Sequence, residues 1–337
     1  MMHIVHVVCS SAFAGVERYV LTSGEMAAAS ERVTVIGGDP RVFPSRLDAA
    51  GATWMPGSDR REALRSLRSI PDADVIVTHM TDADVVGAIG ARRRVPIVST
   101  RHFAAPRGSG VVARAVGRLV SRRVRAEISI SDFVAAHVGV ASTVIHSGVP
   151  LVEAAPIVRE QAVLVLQRLE PEKRTDIAIR TWAASQGPAS GWRLWVAGEG
   201  AERAALEALA DDLGVSPSVD FLGFVDDTAA LYRRASVFLA PTPHEGLGLA
   251  VLEAMAQGVP VVASAAGGHL ETVGADPGAR LFPAADVALA AAALDGLLLD
   301  EPARVAYGER LRAIQQAEFT VQRQISRTLD VFRSVQS

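Results

Sequence analysis

The chain has 337 residues, more than one hydrophobic core usually supports, so two domains are expected. Its 34 Lys plus Arg against 37 Asp plus Glu leave a net charge of -3, which gives no electrostatic reason to expect nucleic acid as a partner. Cys9 is the only cysteine, which excludes an intramolecular disulfide and a cysteine-based zinc site.

The first residues, Met-Met-His-Ile-Val-His-Val-Val, lack the basic start of a secretory signal and read as a buried strand. No apolar run reaches the roughly 18 to 20 residues of a membrane span. A cytoplasmic location is therefore expected.

Short apolar runs then alternate with amphipathic stretches, the pattern of parallel sheets flanked by helices. In the first half strands are predicted at His3–Val8, Val33–Gly37, Val75–Thr78, Ile97–Thr100, Glu127–Ser129 and Thr143–Ile145, with helices such as Val16–Ala29 and Arg61–Arg68. Gly148-Val149-Pro150 and the residues up to about Arg159 read as a boundary. Beyond it, strands are predicted at Val163–Leu166, Leu194–Ala197, Val219–Leu222, Val237–Leu239 and Val259–Ala263. The helices between them include Asp176–Ala184, Ala201–Leu213, Asp226–Ala235 and Leu249–Ala256. A last helix, Phe319–Val335, is expected to dock back on the first domain. The expected α/β architecture is thus two tandem Rossmann-like, doubly wound domains, 1–152 and 160–318, with 319–337 as the returning helix. Their strand ends would face a central cleft, since ligands bind outside the carboxyl ends of parallel strands.

The densest chemistry lies in Thr242-Pro-His-Glu-Gly-Leu-Gly-Leu-Ala-Val-Leu-Glu-Ala-Met-Ala-Gln-Gly-Val-Pro-Val-Val-Ala. Gly246, Leu247, Gly248 and Leu249 open a helix whose free N–H groups and positive dipole end suit an anion. Glu245 precedes that helix and Glu253 lies within it, so two carboxylates flank a diphosphate cradle and could hold sugar and ribose hydroxyls. Of the 34 basic residues only one, Lys173, is lysine, a compact ammonium suited to a phosphate where a planar guanidinium is not.

This string resembles the E-x7-E motif of the family-4 retaining glycosyltransferases of GT-B fold. The likeness continues through Gly258-Val-Pro-Val-Val-Ala and Gly267-Gly268-x-x-Glu271. Upstream, Leu166-Gln-Arg-Leu-Glu-Pro-Glu-Lys is similar to the family's Arg-Leu-x-x-x-Lys segment, which implies that Arg168 and Lys173 bind the donor phosphates. Gln167 and Arg174 stand where glycine is common in the family. In the first half, Ala14-Gly15-Val16-Glu17 resembles the Gly-Gly-x-Glu turn, placing Gly15 at the diphosphate, and Pro96-Ile-Val-Ser-Thr-Arg-His102 resembles the strand ending in a histidine at the reaction centre. His79 sits at a further family strand end, where an architectural role is equally open, and His146, in a stretch that matches the family's pre-linker strand, is read as mainly structural. Gly198 would lie near the nucleotide, and Phe224 and Val225 resemble the stretch that meets the base.

The resemblance implies catalysis by His102, Arg168, Lys173 and Glu245: retaining transfer of a hexose-type sugar from a UDP- or GDP-linked donor to an acceptor hydroxyl, without cofactor or metal. A nucleotide-sugar epimerase of similar architecture, or a non-catalytic sugar-nucleotide-binding subunit, is the alternative. Asp72-x-Asp74 and Asp82-x-Asp84 imitate metal-binding pairs but are read as helix caps. Arg107, Arg114, Arg118, Arg122 and Arg125 fall in one quadrant of a helical wheel, with Val112, Val116, Leu119 and Val120 expected to pack on the sheet. The Arg107–Arg125 stripe is read either as a contact for an anionic acceptor or membrane, or as a solvated face.

Overall fold

The computed structural model describes residues 1–107, 111–153 and 158–336, the side chains of 111–115 excepted. The chain divides into two units: Met1–Gly148 with Val321–Ser337, and Val149–Thr320.

The first unit is built on seven strands: β1 (His3–Val8), β2 (Arg32–Ile36), β3 (Thr53–Met55), β4 (Val75–His79), β5 (Ile97–Arg101), β6 (Val124–Ser129) and β7 (Thr143–Val144). They run in the order β3-β2-β1-β4-β5-β6-β7 and every pair is parallel. The central strands are rich in Val and Ile because both faces are covered. Ile4, Val75, Val77 and Ile128 pack on one face with Leu329 and Phe332 of the Val321–Gln336 helix. On the other face Val5, Val7 and Ile76 pack with Ala63 and Leu67 of the Arg60–Arg68 helix and Ala83 and Val86 of the Met80–Gly90 helix. The alternation along β1 therefore puts His6 on the side of Ile4, toward the C-terminal helix.

The second unit repeats the plan with six strands: β8 (Ala162–Leu166), β9 (Arg193–Ala197), β10 (Val219–Gly223), β11 (Val237–Ala240), β12 (Val261–Ser264) and β13 (Arg280–Phe282). Their order is β10-β9-β8-β11-β12-β13, again all parallel. In each sheet the winding reverses between two adjacent central strands, β1 and β4 in one and β8 and β11 in the other. That reversal is the switch point at which this class of sheet binds ligands.

The sequence reading leaves out β3 and β13. Both are three-residue edge strands, too short for periodicity to mark. Among the described residues no helix is long and apolar enough to cross a membrane.

Candidate functional site

In the second unit the loops after β8 and β11 are neighbours because those strands pair, Val237 beside Val163 and Phe238 beside Leu164. This pairing brings together residues 72 positions apart: Lys173 Nζ donates to Glu245 Oε2 over 2.8 Å. Both side chains are partly open, 21% and 25% exposed.

Three elements hold the pair. Gln167, where the family commonly has glycine, donates from Nε2 to the Lys173 carbonyl (3.0 Å) and to Thr175 Oγ1 (2.9 Å), and its Oε1 accepts from Thr242 Oγ1 (2.9 Å). It ties the lysine loop to the end of β11. Ser264 Oγ donates to the Thr242 carbonyl (2.7 Å), which spends its one proton. His269 Nδ1, 3.1 Å from that oxygen, must then be the donor. His269 is fully buried, and burial lowers its pKa. Finally, Gly268 N donates to the Glu245 carbonyl (2.9 Å). A Cβ on Gly268 would come within 2.3 Å of Leu247 Cα, so only glycine lets this loop support the Glu245–Gly248 turn.

The turn ends at Gly248, which takes φ +95° as N-cap of the Leu249–Ala256 helix. Glu253 lies in that helix and accepts from Tyr232 OH over 3.1 Å. Gly198 follows β9 with its N–H on the Gly223 carbonyl (2.8 Å), so Phe224 and Val225 adjoin it; Phe224 is 66% exposed.

Arg168 is not drawn into the Lys173 pair. Its guanidinium is exposed and bound to Glu172 (2.9 Å). Arg174 occupies φ +54°, the left-handed region glycine adopts freely, and pairs with Asp176 (2.9 Å).

In the first unit Gly15 starts the Gly15–Ala27 helix, and Glu17 Oε2 accepts from Ala14 N over 3.1 Å, closing the turn. One turn on, Tyr19 packs edge-on to His102 with ring centroids 4.8 Å apart. His102, which follows β5, is buried and hydrogen-bonded through Nε2 to His79 Nδ1 (3.0 Å).

Three sequence expectations are corrected here. Arg107 is no part of an exposed stripe. It is buried, donating to Asp84 Oδ2 (2.5 Å) and through both terminal nitrogens to Glu127 (2.6 and 2.9 Å). Asp84 is likewise no helix cap: its carboxylate also accepts from Thr78 and Ser99 (2.5 and 2.7 Å), and a buried carboxylate needs such partners. Of the other acids in those pairs, Asp74 accepts from His3 N (2.7 Å), Asp72 pairs with Arg32, and Asp82 pairs with Arg60 (3.1 Å). On the Val111–Ser121 helix Val116 and Leu119 are exposed, 42% and 61%, and do not pack on the sheet. The side chains of Arg114 and Val112 lie outside the described residues.

Residues 153–314 match the family model for glycosyl transferases group 1, and residues 2–153 match that for glycosyltransferase family 4. The chain belongs to the family-4-like glycosyltransferases. It is 30% identical to a lipopolysaccharide core biosynthesis mannosyltransferase of Rhizobium leguminosarum over 64% of this chain and 66% of the relative. It is 44% identical to a GDP-mannose-dependent phosphatidylinositol dimannoside mannosyltransferase of Mycobacterium tuberculosis over 33% of this chain and 29% of the relative. The matches thus span less than two thirds of these curated relatives. Among solved structures, Anabaena HepE in complex with UDP-glucose superposes with a TM-score of 0.82 at 21% identity, covering 99% of this chain and 100% of that one. The fold is GT-B.

Sequence reasoning missed Thr242, Ser264 and His269, which bear no ligand-like spacing and become visible only when β11 and β12 pair, Leu239 beside Val262.

Proposed function

We propose that this protein is a retaining glycosyltransferase that moves a hexose-type sugar from a UDP- or GDP-linked donor to an acceptor hydroxyl. The observation that carries the reading is the Lys173–Glu245 pair at the lip of the Gly248-led helix. It supplies a cation and a helix start for the diphosphate, and a carboxylate for sugar hydroxyls. Lys173, with Arg168 turned from Glu172, would neutralise the charge that grows on the leaving diphosphate. Glu253 would hold the ribose, and the Gly198 and Phe224–Val225 stretch would meet the base. Gly15 and His102 are the first unit's contribution, His102 meeting a substrate hydroxyl. The reading calls for no cofactor and no metal, since these protein groups meet the phosphate charge. Relatives that use GDP-mannose, and a fold neighbour that holds UDP-glucose, favour these two bases for the donor.

The test is a thermal-shift panel of UDP, GDP, ADP and TDP sugars, followed by a transfer assay with the donor that binds. Nucleoside diphosphate released only with acceptor supports the reading. Donor consumed with no release and no acceptor requirement indicates an epimerase, and binding with no turnover a non-catalytic subunit.

We further propose peripheral contact with anionic membrane through exposed Val116 and Leu119 beside exposed Arg118 and Arg122. Sedimentation with anionic vesicles should be lost in an Arg118→Glu, Arg122→Glu variant; unchanged binding removes the membrane from the account.

A further inference from the structure

Three histidines form a row across the adjacent strands β1, β4 and β5. His79 is in register with Val8 on one side and Thr100 on the other, so His6 and His102, two residues before and after those partners, lie on its face. The rings are joined head to tail. His6 Nδ1 lies 3.0 Å from His79 Nε2, and His79 Nδ1 lies 3.0 Å from His102 Nε2. His6 stacks on His79 with centroids 5.3 Å apart and planes 19° apart, and Tyr19 packs against both His79 and His102. All three are buried, and each contributes one ring nitrogen or two to this row.

Burial keeps these rings uncharged. It lowers the pKa of His6 to about 4 and that of His102 to about 3, where Arg101 adds to the effect. His79 is held well below the ordinary imidazole value by burial and by its two neighbours. A neutral imidazole carries one N–H, and each of the two hydrogen bonds needs one proton between its nitrogens. If His6 carries its proton on Nδ1, then His79 Nε2 is bare, its proton is on Nδ1, and the same holds for His102. If His6 carries it on Nε2, all three do. No mixed set satisfies both bonds.

We propose that His6 and His79 are positioning residues for His102: the three rings share one tautomer, and the inner two fix whether Nδ1 of His102 donates or accepts toward a substrate hydroxyl. The inference rests on the reading that His102 meets substrate. His102 Nε2 is committed to His79, so Nδ1 is the ring atom left for that contact. Its polarity cannot reverse unless three protons shift together. A hydroxyl, which can donate or accept, would be held in one orientation, and misorientation of a reacting group is costly.

Long-range 1H–15N correlation across the imidazole rings of the full chain at neutral pH tests this, with the signals of its eight histidines assigned by single variants. His6, His79 and His102 are expected to give one tautomer, all Nδ1–H or all Nε2–H. A mixed set, or a charged ring, overturns the proposal, and the wild-type spectrum alone decides this point. His6→Phe keeps a ring to stack on His79 and removes its partner nitrogen. It should leave His102 as a mixture of tautomers and lower kcat about tenfold with donor KM nearly unchanged. His6→Asn, whose amide occupies the Nδ1 position, should restore both. A His102 tautomer untouched by His6→Phe overturns the coupling. Because the spectra are taken without donor or acceptor, their failure leaves the transferase reading standing; normal transfer by His102→Ala would instead remove His102 from the substrate.

Discussion

Lys173 Nζ and Glu245 Oε2 are hydrogen-bonded to each other at 2.8 Å, so the cation assigned to the diphosphate and the carboxylate assigned to the sugar neutralise one another. A diphosphate taking Lys173 must compete with that carboxylate. Glu245→Gln removes the competitor and a like charge from the anion site. It is expected to tighten free nucleoside diphosphate several-fold and to lower sugar transfer by about a hundredfold or more. Weaker nucleotide binding in this variant, measured by calorimetry, would show that Glu245 supports the phosphate site.

Gln167 and Arg174 are the two departures from glycine, and the structure separates them. Gln167 makes three hydrogen bonds that join Lys173, Thr175 and Thr242. Gln167→Ala leaves the buried Thr242 hydroxyl with a poorer partner and should cost about 1–3 kcal/mol of stability while raising donor KM. Arg174→Gly relieves a left-handed residue at the loss of a half-exposed ion pair. It should be neutral or stabilising by about 1 kcal/mol, a rise in Tm of about 2 °C. A clear loss of stability in Arg174→Gly would contradict this.

Gly268→Ala drives a Cβ into backbone at 2.3 Å, which no side-chain movement relieves. A loss of about 2–4 kcal/mol and of donor binding is expected, because the Glu245–Gly248 turn must move. Gly296→Ala is the control: it lies in the Val287–Leu298 helix with its nearest contact at 3.9 Å, and should stabilise by about 0.5–1 kcal/mol. Chemical denaturation of the pair measures both.

The buried imidazoles make stability depend on pH with a definite sign. Well above about pH 6.5 His6, His79 and His102 are neutral in both states and contribute no slope. As pH falls from 6.5 toward 4, the unfolded chain takes up protons that folded His6, His79 and His102 refuse, so stability falls. Each ring contributes up to about 1.4 kcal/mol per pH unit in that window. Asp39 and Asp72, held below the ordinary carboxylate value chiefly by hydrogen bonds from Arg41 and Arg32, act only at lower pH. Urea midpoints at pH 7 and pH 5 check this: His6→Phe should flatten the slope, and equal wild-type midpoints would refute it.

Much of this was legible in the sequence because parallel strands buried on both faces are written as short, mainly apolar runs, and β1, β4, β8 and β11 stand out that way. The glycine-led helix and the lone lysine were legible as chemistry. What sequence could not give was adjacency across the sheet. Lys173 and Glu245 meet only because β8 pairs with β11, and Gln167 ties the lysine loop to β11 through Thr242, 75 positions away. Arg107 misled because its helical-wheel position said nothing of Asp84 and Glu127, two acids from other elements that draw it inside. Val116 and Leu119 misled for the converse reason: apolar periodicity predicts a buried face, and here those two are exposed while Val120 alone of the described face is buried.

The most direct test is calorimetric binding of UDP and GDP to the wild-type chain and to Lys173→Ala. One of the two is expected to bind the wild type, with affinity falling about ten- to a hundredfold in the variant, as loss of a charge-assisted phosphate contact predicts, while Tm changes little because the ion pair is partly open to solvent. Equal affinity in the two proteins would contradict the placement of the diphosphate at Lys173, and with it the donor site.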